Sequence, residues 1–78
     1  MEHLTNREKE VLKYVVNGLS NIEIAKKAFI TEHTVKAHIS SIIRKFGVKT
    51  RIDIAVLAII EGLVKVEDVK IQHVTRNY

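Results

Sequence analysis

The sequence predicts an all-α domain of four short helices, and three observations carry that expectation. Cap signals of the S/T-x-x-E kind recur at Thr5–Glu8 and Ser20–Glu23, each just ahead of apolar residues spaced for one helical face. Gly18, Gly47 and Gly62 stand where such runs stop, as left-handed helix ends require. No alternating run strong enough for a strand occurs before residue 65.

The first helix follows Thr5, whose hydroxyl can accept from the backbone near Glu8 while Glu8 reaches back. Val11, Leu12, Val15 and Val16 form its apolar stripe, and Asn17-Gly18 ends it. Ser20 and Asn21 open a shorter second helix with Ile24, Ala25 and Ala28 inward, ending near Phe29-Ile30. Thr31 caps the third helix after only a brief turn, which is the spacing of a helix-turn-helix unit. Gly47-Val48 closes that helix. Thr50 to Asp53 resembles another cap, opening a fourth helix through Ile54, Ala55, Ala58 and Ile59 toward Gly62. Residues 1–64 are expected to form one domain. Residues 65–78 read as a C-terminal extension that frays or stays disordered.

Composition restricts the chemistry. Seventy-eight residues, 46% of them hydrophobic, suffice for one small core. With no cysteine, neither disulfides nor thiolate chemistry is available. The apolar runs are too short for a bilayer and the first ten residues lack a signal-peptide core, so a soluble, cytoplasmic domain is expected. His33 and His38 are five apart, about 140° around a helix, and cannot share a metal. No phosphate loop and no nucleophile-base-acid order is present, so no cofactor is expected and the chain is not read as an enzyme.

The net charge of +4 is unevenly distributed. Residues 1–25 and residues 52–78 each carry a balance of −1, whereas residues 26–51 carry +6. Lys26, Lys27, Lys36, Arg44, Lys45, Lys49 and Arg51 stand there against Glu32 alone. One-sided clustering is the footprint of a polyanion partner.

The third helix carries much of this charge. Val35, Ile39, Ile42, Ile43 and Phe46 share one face, leaving small and basic residues opposite. A helix enters the B-DNA major groove only if its outward residues let the backbone approach. Ala37 and Ser40 are short; Ala37 can meet a thymine methyl and Ser40 can donate or accept. Lys36 can reach guanine or phosphate, and His33 lies near the same edge one turn earlier. Thr34, Ser41, Arg44 and Lys45 are placed for the sugar-phosphate walls, with Lys49 in the same basic stretch.

Four motifs in order carry a family resemblance: Leu4-Thr5-x-Arg7-Glu8-x-Glu10-Val11-Leu12; Gly18-x-Ser20-Asn21-x-Glu23-Ile24-Ala25; Thr34-Val35-Lys36-x-His38 with Ile42 and Lys45; and Val48-x-x-Arg51. Over residues 4–64 the chain resembles the LuxR-type (GerE-like) DNA-binding domain. The resemblance implies a four-helix bundle that binds double-stranded DNA as a dimer and regulates transcription, often at the end of a response regulator. It implies base-facing roles for Lys36, Ala37 and Ser40, and support or phosphate roles for Thr34, His38 and Lys45. Ala28 stands where the family usually has Leu, and Phe29 is expected to supply the missing volume. Ser41 replaces a frequent Asn.

The fourth helix is apolar nearly all round. Ile54, Ala55, Ala58 and Ile59 are expected to serve the core, leaving Val56 and Ile60 as one ridge with Asp53 and Leu57 beside it. A weak homodimer through that ridge is expected. The competing reading is a protein-interaction module that docks on RNA polymerase or another regulator, with Ile22, Val56 and Ile60 as exposed apolar contacts.

Overall fold

Thr5, Ser20, Thr31 and Thr50 each adopt an extended backbone and accept, through the side-chain hydroxyl, from an amide three residues on. These caps start the four helices: α1 (Asn6–Val16), α2 (Asn21–Ala28), α3 (Glu32–Phe46) and α4 (Arg51–Ile60). The structure, a computed structural model, describes residues 3–65. Reciprocal capping boxes form at Thr5/Glu8, Ser20/Glu23 and Thr50/Asp53, each satisfying two otherwise orphaned backbone donors. Asn21, read as part of a cap, is instead the first helical residue of α2; its Oδ1 accepts from Arg51.

The core is built from one face of every helix: Val11, Leu12, Val15 and Val16, then Ile24 and Ala28, then Val35, Ile39 and Ile42, then Ile54 and Ala58. Beyond α4, Gly62 turns through φ +68°. Leu63 N–H then donates to Ala58 O at 2.8 Å, and Val64 folds back into the core. α3 packs on both α1 and α2 and less extensively on α4, so its orientation is fixed from several sides. The described residues form four α-helices and no strand. The extension expected beyond Lys65 lies outside the described residues.

Two core expectations are corrected. Ile59 is 47% exposed and joins the outer face of α4, because an all-apolar helix carries no periodic signal to say which side faces inward. Phe29 supplies no core volume: it is the left-handed cap of α2 (φ 57°) and is 92% exposed, while Ala28 is buried. That backbone conformation costs a non-glycine residue about 1–2 kcal/mol. It also swings the side chain off the helical face that a continued helix would have given it.

Candidate nucleic-acid interface

At 100° per residue, His33, Lys36, Ala37, Ser40 and Arg44 occupy roughly a 100° arc of α3, opposite Val35, Ile39 and Ile42. All five of the arc residues are exposed, and the three opposite are buried. The arc is fixed by what lies behind it. Thr31 Oγ1 caps the N-terminus by accepting from Thr34 N–H at 3.1 Å, and the two hydroxyls lie 2.9 Å apart. Gly47, at φ 68°, ends the helix. The four residues expected to face bases are therefore displayed together.

The shoulder of α3 behaves differently. Ser41 and Lys45, four residues apart, both turn toward α1 and converge on Glu8. Ser41 Oγ donates to Glu8 Oε2 at 2.5 Å, and Lys45 Nζ donates to Glu8 Oε1 at 2.7 Å. Lys45 also donates to His3 O at 3.2 Å, and Thr5 N–H donates to Glu8 Oε1 at 2.9 Å. Both side chains were expected on phosphates; the structure commits them to a carboxylate that is only 4% exposed. A buried charge must be matched, and Lys45 is the cation that matches it. Burial alone would raise the Glu8 pKa, but the hydrogen bonds from Lys45, Ser41 and Thr5 prevail and hold it at about 2.

Arg51 is another cation of the basic stretch that serves the fold. Its guanidinium donates to Asn21 Oδ1 and to Leu19 O, tying the start of α4 to the start of α2. Burial lowers its pKa from the ordinary value. Arg7 makes a comparable tie from α1, donating to Ala28 O at 3.0 Å where α2 leaves an open carbonyl.

Subtracting Lys45 and Arg51 leaves Lys26, Lys27, Lys36, Arg44 and Lys49 on the surface, all exposed. Thr34 and His38 are half-buried beside the arc. The Glu8 cluster had a legible trace in the sequence. Ser41 and Lys45 have i, i+4 spacing at the margin of the apolar stripe, where side chains turn onto a neighbouring helix.

Among the described residues no group of three His, Cys, Asp or Glu could hold a metal. No helix among them is long and apolar enough to cross a membrane. A cleft of about 460 Å³ lies between α1 and the segment after α4, lined by Leu4, Leu12, Leu63 and Val64 with Lys9, Lys13 and Lys65; α3 contributes nothing to it.

Residues 2–58 match the family described as bacterial regulatory proteins, luxR family. The chain is 46% identical over 57 residues to a nitrate/nitrite response regulator homolog of Haemophilus influenzae, covering 73% of this chain and 27% of that protein. It is 48% identical over 60 residues to the transcriptional regulatory protein LnrK of Bacillus subtilis, covering 77% and 27%. Among solved structures it resembles the response regulator ChrA of a heme-sensing two-component system. That match has a TM-score of 0.76 and 39% identity, and covers 82% of this chain and 32% of ChrA. The chain thus spans about a quarter to a third of the length of these relatives. The four capped helices, the short turn between α2 and α3 and the matched sequence agree: the chain belongs to the luxR family of bacterial regulatory proteins, and is not an enzyme.

Proposed function

We propose that the chain is the double-stranded-DNA-binding unit of a cytoplasmic transcription regulator, with α3 lying in the major groove. The observation that carries this reading is the exposed arc of His33, Lys36, Ala37, Ser40 and Arg44, held outward by packing on α1 and α2. Small residues at its centre let the helix backbone approach the base edges, where Lys36 and Ser40 offer hydrogen-bonding groups. Lys26, Lys27, Arg44 and Lys49 supply cations for the flanking phosphates.

The reading extends to a two-fold dimer through α4. Ile52, Val56, Ile59 and Ile60 fall within roughly a 100° arc of that helix, and all four are exposed, Ile60 by 72%. This face is broader than the ridge of Val56 and Ile60 expected from the sequence, and its centre lies away from Leu57, which is half-buried. Asp53 is committed to the cap, accepting from Thr50 N–H at 3.0 Å and Lys49 N–H at 3.3 Å. Pairing two such faces would set the two α3 helices about 34 Å apart, one DNA turn. Exposed Ile22 favours a protein contact as well, RNA polymerase being the partner such a regulator would meet.

Backbone amide shifts on titration with a duplex test the groove assignment. Shifts concentrated at residues 31–40, with the Glu8 cluster unmoved, are expected. Shifts confined to α1 and α4 would overturn it.

A further inference from the structure

Phe29 is the most exposed large apolar side chain among the described residues, at 92%. Its backbone conformation is fixed by neighbours. The amides of Phe29 and Ile30 both donate to Ala25 O, and Arg7 holds the adjoining carbonyl of Ala28. Glycine or asparagine is the usual residue at such a left-handed cap. An aromatic ring there is disfavoured by conformation and by hydration, and at this exposure it gains almost no packing in return.

The position of the ring suggests what it meets. Lys26 and Lys27 stand on the turn before it, Thr31 caps α3 two residues after it, and no acid occurs between Glu23 and Glu32. Ile22, the other exposed apolar residue of α2, is about 10 Å away along the helix axis, on the far side of Lys26. Ile22 can serve a protein contact by itself, but Phe29, divided from it by a lysine, does not join it in one contiguous apolar patch. A single ring among cations, at the entrance to the groove-binding helix, suits a nucleic-acid edge. In helix-turn-helix docking the first helix crosses the backbone and the second brings its N-terminal residues to the bases. The turn between them then runs along the rim of the groove.

We propose that Phe29 is a further specificity residue, its ring packing on the C5 methyl of a thymine at the outer end of each half-site. The proposal rests on the major-groove reading of α3. Thymine is the base that offers an apolar group in that groove, and phenylalanine is among the residues that can contact it. Lys26 and Lys27 would hold the phosphates beside it.

Duplexes selected from a random pool by the wild-type chain provide the probe, with each thymine then replaced in turn by deoxyuridine. Loss of the methyl at the outer position should weaken wild-type binding about three- to fivefold. Phe29→Asn, which relieves the backbone, should raise the thermal midpoint, abolish the deoxyuridine effect at that position and keep the others. Stability and affinity then move in opposite directions, which a structural role for Phe29 would not produce. An unchanged deoxyuridine profile in Phe29→Asn, or a selected pool without an outer thymine, overturns the proposal and leaves the groove reading standing. Were Phe29→Asn instead to keep that profile and lose only a response that requires RNA polymerase, the ring would belong to a protein contact. No salt-dependent duplex binding by the wild type would overturn both readings.

Discussion

Replacing Lys45 with methionine keeps the length of its alkyl chain and removes the cation facing Glu8 at 2.7 Å. Two readings of Lys45 diverge here. As a phosphate contact it would be dispensable for folding and needed for affinity; as the partner of a buried carboxylate it is needed for folding. The size of the folding effect follows from the Glu8 pKa. A drop from the ordinary 4.5 to about 2 corresponds to about 3 kcal/mol of stability. The folded-state pKa is the lower one, so that contribution is complete above about pH 5 and drains away as the pH falls toward 2. Breaking a buried pair from one side costs about 3–5 kcal/mol, a large share of the ~5–15 kcal/mol a small domain possesses.

Urea unfolding followed by circular dichroism, from pH 7 to pH 2, is the assay. Wild type should lose about 3 kcal/mol across the acid limb from this carboxylate. Lys45→Met should be destabilised by about 3 kcal/mol or more at pH 7. Its acid limb should be flatter, because the folded-state pKa of Glu8 rises once the cation is gone. Glu8→Gln, whose one amide oxygen can still accept from Thr5 N–H while its amide nitrogen would donate to Ser41 Oγ, should flatten the same limb. A Lys45→Met protein with wild-type stability at pH 7, an unchanged acid limb and weaker duplex binding would refute the ion-pair assignment.

The remaining expectations concern the outer faces of α3 and α4. Lys36→Ala should leave helicity and melting unchanged, and cost about 1–3 kcal/mol of duplex affinity if Lys36 reads a base bidentately; competition among single-base operator variants would show specificity relaxed at one position. Val56→Asp combined with Ile60→Glu should leave the monomer folded and remove cooperative binding to a two-half-site duplex, measured against a one-half-site control. Undiminished cooperativity would place the dimer surface elsewhere.

The legible parts of the fold are the local ones. Thr5/Glu8, Ser20/Glu23 and Thr31 announce helix starts because a cap involves only a few consecutive residues. The stripe of α3 is legible because its opposite face is polar, so Val35, Ile39 and Ile42 could only point inward. What the sequence leaves open depends on contacts between distant residues or on a single dihedral. Glu8 satisfies a capping box by itself; the spacing of Ser41 and Lys45 marks them for a neighbouring helix, but nothing local names Glu8, 33 and 37 residues away, as the carboxylate they share. Arg51 reads as one more cation until its guanidinium is found on Leu19 and Asn21. Phe29 reads as core material because apolar residues usually are, and one left-handed turn sends it outward. On α4, with apolar residues on all sides, periodicity could not separate Ile54 and Ala58 from Ile59.

The central claim, that the cations left on the surface face a polyanion, is tested most directly by duplex affinity as a function of salt. Each neutralised phosphate contributes about −0.9 to the log–log slope. With Lys36 on a base, three or four of the other exposed cations on phosphates predict a slope of about −3 per bound copy. Glu8→Gln, which leaves those surface cations in place, should show the same slope. An affinity that barely changes from low to high salt would contradict the account.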